Sequence, residues 1–322
     1  MMGSILAGLT ALVMAVAAPM ILLPDTAKTN DTPWMLVIEE TEQQRDEVEI
    51  TLQTGNAVQK LPLEEYLVGV VLSEMPMSFE DEALKAQAVA ARTFTLRQME
   101  GGKHEAYDLC DQSSCCQAWA GKEVLKEKLG SSWEEYWDKA EMAVKSTKHV
   151  VLTYNGELID AVYFSCSGGA TEAAVAVWGS EVPYLQSVES PGEEAAGKFQ
   201  SVKTVSADAF RRTILNAQPL ADLRGRSSNW IGEAIYTEGG GVEKITIGGI
   251  AFSGTQLRQM FGLNATNFTL SADGEMLEFT VRGYGHRVGM SQYGANAMAA
   301  EGKDYTEILN HYYTGVTLEK RQ

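Results

Sequence analysis

Hydrophobic and polar positions divide the chain into an apolar N-terminal run and a long region of mixed pattern. Residues 3–24 contain no charged side chain, and about 20 consecutive apolar residues are enough for a helix that crosses a bilayer. The small residues at 15–19 are typical of a signal-peptide cleavage site, but the apolar run continues beyond them, which favours an uncleaved anchor over a cleaved signal peptide. We therefore predict one transmembrane helix at 1–24, a stalk and first strand at 25–47, and a domain outside the cytoplasm at 48–322.

Two strand-like runs and a helix that ends at an acid follow the stalk. Residues 34–38 and 48–52 are rich in β-type side chains, and the second run alternates in polarity. A helical apolar face extends over 63–71. This helix should end near Glu74, because a proline disfavours helical dihedrals in the residue before it and Pro76 follows closely.

Capping residues predict two further helices in this half of the chain. Ser78 is placed as the N-cap of a helix with acids at 80–82 in its first turn, where the helix dipole favours them. Ser132 and Glu135 have the spacing of a capping box that opens a third helix.

The remaining pattern contains a hairpin, separate strands and two terminal helices. In HVVLTYNGELIDAVYF, at 149–164, two β-rich runs flank an Asn-Gly pair of the kind preferred in type I′ turns. Strands are predicted at 242–247 and 276–281, with a helix at 254–261 between them. Ser291 and Asp304 are the predicted caps of the last two helices. These elements do not alternate as in βαβ folds, so the predicted fold class is α+β, with helices and antiparallel strands that form a cleft.

Charge and composition narrow the functional classes. The chain has 43 Asp and Glu against 26 Lys and Arg, which gives a formal net charge of −17. Binding to nucleic acid requires a basic surface, so this balance argues against it, and the acidity is consistent with solubility alone. With 45% hydrophobic residues the chain is an ordinary globular protein with a sizeable core.

Glu74 is the first candidate for chemistry. The C-terminal end of a helix carries partial negative charge, so a carboxylate is electrostatically disfavoured there. Together with burial by the mostly apolar residues at 75–79, this position should raise the pKa of the Glu74 carboxyl. A carboxyl that stays protonated near neutral pH is what a general acid needs to protonate a glycosidic oxygen. The alternative is a solvated acid, which is the usual state of a glutamate.

The second candidate is a cluster of four soft metal ligands: His104, Cys110, Cys115 and Cys116. Four such ligands suit a tetrahedral zinc ion with no open position, as in structural zinc sites. The alternative is a disulfide, which is common outside the cell but would leave one of the three thiols over. Cys166 lies apart from the cluster and is predicted to be a free thiol.

The third candidate is the glycine-rich stretch GYGHRVGMSQYGA at 283–295. It lacks the register and the trailing acid of a dinucleotide-binding loop. Its polar side chains, among them His286, Ser291 and Gln292, fit a cleft wall that hydrogen-bonds a polar ligand such as a sugar. Glycines that serve only in turns explain the stretch equally well.

Five stretches of the sequence combine into one pattern. They are LPLEEYLVGVVLSEMPMSFEDEALKAQAVAARTFTLR at 61–97, CQAW at 116–119, YFSCSGGATE at 163–172, VWGSEVPYLQSVESP at 177–191 and GYGHRVGMSQYGANAMA at 283–299. This pattern resembles the stage II sporulation protein D family, membrane-anchored peptidoglycan lytic transglycosylases of endospore-forming bacteria. The likeness extends over most of the chain from Val48 to Leu318.

The resemblance implies a reaction and a catalytic residue. The family's catalytic glutamate lies in an EMP motif, which is Glu74-Met75-Pro76 here. The implied reaction cleaves the β-1,4 bond between N-acetylmuramic acid and N-acetylglucosamine, in glycan strands stripped of stem peptides. Glu74 would protonate the leaving oxygen and then accept a proton from the C6 hydroxyl of muramic acid, which closes a 1,6-anhydro ring. Lys85 and Arg92 are implied to shape or charge the site.

The resemblance also implies a metal and further site residues. Zinc in the family is held by histidine and cysteine, and the match falls on His104, Cys110 and Cys116, while Cys115 stands where the family pattern has histidine. The residues expected to bind substrate or shape the site are Tyr163, Ser165, Ser167, His286, Ser291 and Gln292.

Location and partners follow from the same resemblance. The implied location is the cell membrane, with a single span and the catalytic domain in the intermembrane space of the sporulating cell. The expected partners are peptidoglycan glycan strands, a cell-wall amidase and membrane proteins of the engulfment machinery, with no nucleic acid. Because relatives enhance cell-wall amidases, the alternative function is a non-catalytic glycan-binding protein that activates an amidase.

Overall fold

The computed structural model describes residues 47–321. Its α-helices in this range are α1 (Leu63–Glu74), α2 (Asp81–Gly101), α3 (Lys122–Leu129), α4 (Trp133–Ser146), α5 (Ala174–Trp178), α6 (Ala207–Ala217), α7 (Gly254–Phe261), α8 (Gln292–Ala300) and α9 (Tyr305–Tyr312). The predicted anchor, the stalk and the strand at 34–38 lie outside the described residues. Between 47 and 321, no helix has the length and apolar character needed to span a membrane.

The strands form several small sheets. They are β1 (Glu49–Thr54), β2 (Ala57–Pro62), β3 (Leu109–Cys110), β4 (Val150–Tyr154), β5 (Glu157–Leu158), β6 (Tyr163–Phe164), β7 (Gly169–Ala170), β8 (Glu189–Ser190), β9 (Gln200–Ser206), β10 (Ile231–Tyr236), β11 (Val242–Ile247), β12 (Ile250–Phe252), β13 (Asn267–Asp273), β14 (Met276–Arg282), β15 (Met290–Ser291) and β16 (Thr317–Lys320). The sheet orders are β2-β1-β3, β10-β11-β12, β13-β14-β9 and β16-β4-β5, with the pairs β15-β6 and β7-β8. The mixed α+β fold class is confirmed, but β1–β3 and β6–β15 pair in parallel, so the strands are not all antiparallel.

The first hydrophobic core surrounds α2. This helix packs against α1, α4, α8 and α9, and many of its buried side chains are alanines. Small side chains allow neighbouring helices to approach closely, since the distance between helix axes depends on the residues at the contact. Leu67, Val70 and Val71 of α1 are fully buried in the same core. The packing of α1 on α2 therefore fixes the position of Glu74 at the end of α1.

A second hydrophobic core lies between residues 200 and 282. Phe261 of α7 packs between Phe210 of α6 and Phe279 of β14, with ring centroids 5.0 Å away on each side. The sheets β13-β14-β9 and β10-β11-β12 contribute the surrounding buried side chains. The strand at 242–247 and the helix at 254–261 occur with the predicted bounds, and the strand predicted at 276–281 is one residue longer.

Other predicted turns and caps are also present. Asn155 and Gly156 have φ values of 53° and 82°, both positive as a type I′ turn requires. The side chain of Ser291 accepts a hydrogen bond at the start of α8, and Asp304 forms a capping box with Glu307 at the start of α9.

Ser78 is not the cap of α2, contrary to the sequence prediction. The helix begins at Asp81, and Glu80 occupies the N-cap position. The residues before it form a turn in which the Phe79 N–H donates to the Pro76 carbonyl at 3.0 Å. This turn delays the start of the helix by two residues.

The capping box predicted at Ser132 is also wrong. Ser132 occupies the N-cap position of α4, but its side chain makes no capping hydrogen bond. It is the last residue of a 3-10 helix at Gly130–Ser132, and its φ of −88° and ψ of 2° are far from the extended conformation of a capping residue.

Candidate active site

Glu74 is the last residue of α1. Its half-buried carboxyl accepts two hydrogen bonds: Oε1 from the backbone N–H of Ala118 at 2.8 Å, and Oε2 from the side-chain amide of Gln292 at 3.4 Å. Among residues 47–321, no ion pair involves Glu74. The immediate hydrogen-bond partners of the carboxyl are therefore neutral.

The surroundings of Glu74 favour its protonated form. Burial raises the pKa of the carboxyl above its ordinary value, and the hydrogen bonds from Ala118 and Gln292 oppose this shift without cancelling it. The negative end of the α1 dipole acts in the same direction as burial. A proton held to higher pH than on an exposed glutamate is the property that a general acid requires.

The segment Cys116–Trp119 positions the backbone donor to Glu74. Gln117 is buried, and its Nε2 donates to the hydroxyl oxygens of Tyr66 at 3.1 Å and Thr95 at 3.0 Å. Its Oε1 accepts from the Tyr163 hydroxyl at 2.8 Å. These three bonds fix the backbone immediately before Ala118.

Trp119 fixes the other end of this segment. Its ring stacks on Tyr66 with a centroid separation of 6.4 Å. It also lies so close to Gly69 of α1 that a Cβ at position 69 would overlap Nε1 of Trp119. A glycine is therefore required at this point of α1, and the segment packs tightly against the helix that carries Glu74.

Glu74 opens onto a cleft with a volume of about 280 Å³. The cleft brings together four of the residues that the sequence assigned to substrate binding or site shaping: Tyr163, Ser165, His286 and Gln292. The other lining residues are Phe94, Ser113, Cys116, Gln117, Val162, Phe164, Tyr284 and Gly285. Glu74 is the one carboxylic acid among the residues that line this cleft.

Backbone pairing joins the two loop motifs that form the cleft wall. β6 pairs with β15, and Cys166 exchanges backbone hydrogen bonds of 3.2 and 2.7 Å with Tyr284. The chains approach so closely that a Cβ on Gly283, whose φ is 86°, would lie 2.6 Å from the carbonyl oxygen of Ser167. Glycine at this position is therefore used for the backbone pairing rather than for ligand contact.

His286 is a neutral, partly apolar element of the cleft. Its ring lies 5.6 Å, between centroids, from both Phe164 and Trp178. Burial lowers the pKa of the imidazole to about 4. The backbone N–H of Val288 donates to Nδ1 at 3.2 Å, which leaves Nε2 as the protonated nitrogen of the neutral ring.

Lys85 does not line the cleft. Its ammonium pairs with Glu82, three residues earlier on α2, at 2.6 Å. Both side chains are partly exposed, so this pair is expected to contribute little to stability.

Arg92 supports the helices instead of the cleft. It is 1% exposed, and its guanidinium donates to Glu64 of α1 at 2.8 Å and to the carbonyl oxygens of Val144 and Thr147 at 3.1 and 2.8 Å. These carbonyls lie at the C-terminal end of α4, where helical partners are lacking and a cation is favoured. Arg92 thus joins α1, α2 and α4.

Ser167 belongs to a buried cluster around Glu193, behind the cleft. Oε2 of Glu193 accepts from the N–H groups of Ser167 and Gly168 at 2.6 and 3.1 Å and from the Cys166 thiol at 3.0 Å. Oε1 accepts from the hydroxyls of Ser167 and Ser190 at 2.9 and 2.5 Å. The cluster holds the small-residue loop in shape.

Ser291 is also behind the cleft wall. It is fully buried, and its hydroxyl oxygen accepts from the N–H of Gly294 at 3.2 Å, which caps α8. The cap fixes the first residue of α8, Gln292, whose amide reaches Glu74.

The predicted metal ligands converge on one point. The ligand atoms of His104, Cys110, Cys115 and Cys116 all lie within 4.8 Å of one another. Nε2 of His104 is 3.3 Å from Sγ of Cys116 and 3.8 Å from Sγ of Cys115, and these two sulfurs are 3.9 Å apart. Ligands around a tetrahedral zinc ion are separated by roughly 3.5–3.8 Å, given the usual bond lengths. The residues therefore fit one zinc ion, and none of the three cysteines is in a disulfide.

Three acids with no predicted role lie outside the cleft wall. Asp108 accepts hydrogen bonds from the backbone and side chain of Thr51 at 2.7 and 2.6 Å. Glu172 is buried and pairs with Arg287 at 3.0 Å. Asp160 lines a separate surface pocket.

A family profile described as "Stage II sporulation protein" (SpoIID) matches residues 52–154. Over 273 residues the chain is 40% identical to stage II sporulation protein D of Bacillus subtilis (strain 168), and the alignment covers 83% of this chain and 78% of that protein. The chain belongs to the stage II sporulation protein D family. It is also 32% identical over 300 residues to the amidase enhancer of Bacillus subtilis (strain 168), covering 78% of this chain and 40% of that protein.

In this member of the stage II sporulation protein D family, sequence reasoning missed three residues of the site and its support. Gln117 directly follows the candidate metal ligand Cys116 in the CQAW motif, and this position could have pointed to it. Ala118 acts through its backbone N–H, so its side chain carries no signal. Glu193 lies in the polar stretch SPGEEAAGK, where an acid is normally exposed.

Proposed function

We propose that this protein is a peptidoglycan lytic transglycosylase that acts in sporulation and engulfment, with Glu74 as both general acid and general base. The observation that carries the proposal is a carboxyl of raised pKa that opens onto a cleft with no second carboxylic acid in its wall. Glycosidases that add water use two carboxyl groups about 5–9.5 Å apart. A reaction in which a hydroxyl of the substrate replaces water needs only one.

Glu74 would act in two steps. In its acid form it donates its proton to the glycosidic oxygen while the bond from that oxygen to C1 of N-acetylmuramic acid breaks. The resulting carboxylate is stabilised by the N–H of Ala118 and the amide of Gln292. It then accepts the proton of the C6 hydroxyl, whose oxygen bonds to C1. The products are a 1,6-anhydro end and a strand with a free hydroxyl, and Glu74 regains its proton.

The substrate contacts are assigned to the polar residues of the cleft wall. Tyr163, Ser165, His286 and Gln292 line the cleft and would bind a glycan strand stripped of stem peptides. The residues behind or beside the cleft would shape the site without contacting the substrate: Lys85, Arg92, Ser167 and Ser291.

Zinc would be structural in this account. His104, Cys110, Cys115 and Cys116 supply four ligands, which leaves no position for a reactive water. The bound ion would cross-link the loop that contains these residues. Because Cys116 lies two residues before Ala118, the same cross-link would support the backbone donor to Glu74.

We also propose a membrane location. The uncharged run at 3–24 would anchor the protein with a single span, and the domain from 48 onward would face the intermembrane space of the sporulating cell. Glycan strands, a cell-wall amidase and membrane proteins of the engulfment machinery are the partners that this location provides.

A second function rests on the similarity to an amidase enhancer. In that case the cleft would bind a glycan strand without cutting it, and the protein would stimulate a separate amidase. The two functions differ in one product: only the transglycosylase generates new 1,6-anhydro ends.

The test is digestion of peptide-free glycan strands followed by mass spectrometry of the fragment ends. The wild-type protein should produce 1,6-anhydro ends, and Glu74→Gln should lower the rate by about 10² to 10⁴, because glutamine can neither donate nor accept the proton. Glu65→Gln, an exposed acid on the same helix, is the matched control and should retain activity. Hydrated reducing ends would identify a hydrolase, and bound but uncut strands would favour the amidase-enhancer function.

A further inference from the structure

Trp178 is an exposed aromatic residue at the edge of the cleft. It is the last residue of α5, and its side chain is 48% exposed. Its ring centroid lies 5.6 Å from that of His286, which in turn lies 5.6 Å from that of Phe164. His286 and Phe164 both line the cleft. The three rings therefore form a row from the buried wall of the cleft to the protein surface.

The exposure of Trp178 differs from that of the other tryptophans between 47 and 321, which are buried or half-buried: Trp119, Trp133, Trp137 and Trp230. Val175, three residues earlier on α5, is 47% exposed, and residues three apart share a helix face. Single exposed apolar residues are common on protein surfaces, so what distinguishes Trp178 is its position at the end of the row of rings that begins in the cleft.

The chemistry of the row suits a carbohydrate. The faces of a pyranose ring carry C–H groups, which pack on aromatic rings, and ligand sites combine such rings with a few polar groups. His286 is neutral near pH 7, because burial lowers its pKa to about 4, so the row carries no charge. In the described part of the chain the indole N–H of Trp178 has no hydrogen-bond acceptor, and it is free to donate to a sugar hydroxyl.

We propose that Trp178 forms an additional saccharide subsite at the mouth of the cleft, where it stacks on a sugar ring of the same glycan strand whose bond lies at Glu74. The substrate class rests on the proposed function. The subsite extends the cleft along the strand, so its contribution depends on strand length. A fragment that fills only the space beside Glu74 does not reach Trp178, whereas a longer strand does.

The test measures binding of peptide-free glycan strands, separated by length, to the Glu74→Gln protein, in which the strands stay intact. Adding Trp178→Ala should weaken binding of long strands about tenfold, the effect of one lost stacking contact with its buried area. Binding of the shortest fragment, the disaccharide, should not change. Trp178→Phe should recover most of the affinity for long strands, because a ring remains.

Tyr236→Ala is the matched control, since Tyr236 on β10 is also 48% exposed and does not line the cleft. Equal affinities of the Trp178→Ala and Tyr236→Ala proteins for long strands would overturn the proposal, as would an equal loss for all lengths. Failure of the proposed function is a separate outcome. If the wild-type protein cuts no strand, but Trp178→Ala still weakens binding of long strands, the subsite stands and the transglycosylase function is rejected.

Discussion

Glu74 and Glu193 are both glutamates withdrawn from bulk solvent, but their surroundings differ. Glu193 is 1% exposed, and its carboxylate accepts five hydrogen bonds from the loop at 166–168 and from Ser190. Glu74 accepts only two and faces the cleft. A fully bonded carboxyl group with no access to a ligand holds structure together, whereas a partly bonded one at a cleft can exchange a proton with a substrate. Burial alone does not identify a catalytic acid.

The largest effect on stability is expected at Glu193. In Glu193→Gln, the new NH₂ group faces N–H and S–H donors that the carboxylate accepted, and buried donors lose their partner. The free energy of unfolding should fall by about 3 kcal/mol, measured by denaturant titration. Glu194→Gln changes the neighbouring exposed acid and should have almost no effect. A Glu193→Gln protein as stable as the wild type would remove the structural role of the Glu193 cluster.

A smaller effect is expected at the proposed zinc ligands, which would support Glu74 but not Glu193. Cys110→Ser should reduce zinc from about one ion per chain to almost none, because a tetrahedral site loses one of four ligands. The thermal midpoint should fall, since metal binding contributes to folding free energy.

Ser114→Ala is the matched change for this site, because Ser114 is exposed in the same loop, and it should retain the metal. A protein purified without zinc and with a Cys110–Cys116 disulfide in peptide mapping would contradict the metal site.

The smallest effect on stability is expected at Glu74 itself. Because the pKa of its carboxyl is raised in the folded protein, the folded state binds this proton more tightly than the unfolded chain does. The stability of the wild-type protein should therefore fall as the pH rises from the ordinary glutamate pKa to the raised value. Glu74→Gln does not lose stability in this way. At neutral pH its free energy of unfolding should therefore be within about 0.5 kcal/mol of the wild-type value, or higher. A variant markedly less stable than the wild type would assign Glu74 a structural role.

The local elements were predictable where one segment carried its own signal. The Asn155-Gly156 turn, the helix at 254–261 and the Asp304 capping box each depend on a few neighbouring residues. The N-cap predicted at Ser78 is wrong because residues 76–79 form a turn. The capping box predicted at Ser132 is wrong because Ser132 ends a 3-10 helix. Local capping preferences reveal neither feature.

The candidate site was predictable only in part. The candidate metal ligands and Glu74 stand out by residue type and position. Contacts that depend on the path of the backbone do not. The N–H of Ala118 reaches Glu74 across 44 positions of sequence, and one sheet of the second hydrophobic core pairs β14 with the distant strand β9. Arg92 was assigned to the site from the family resemblance, whereas its partners are helix-end carbonyls that no sequence motif marks.

The role proposed for Glu74 is tested most directly by the pKa of its carboxyl in the folded protein. Carbon-13 NMR of the glutamate side-chain carboxyls, recorded across a pH titration, reports it, and the signal is assigned by its absence from Glu74→Gln. We expect a pKa above the ordinary value of a glutamate, because burial outweighs the two hydrogen bonds. A Glu74 signal that titrates at or below the ordinary value would show a carboxyl that is ionised near neutral pH, and would contradict the proposed role of Glu74 as the general acid.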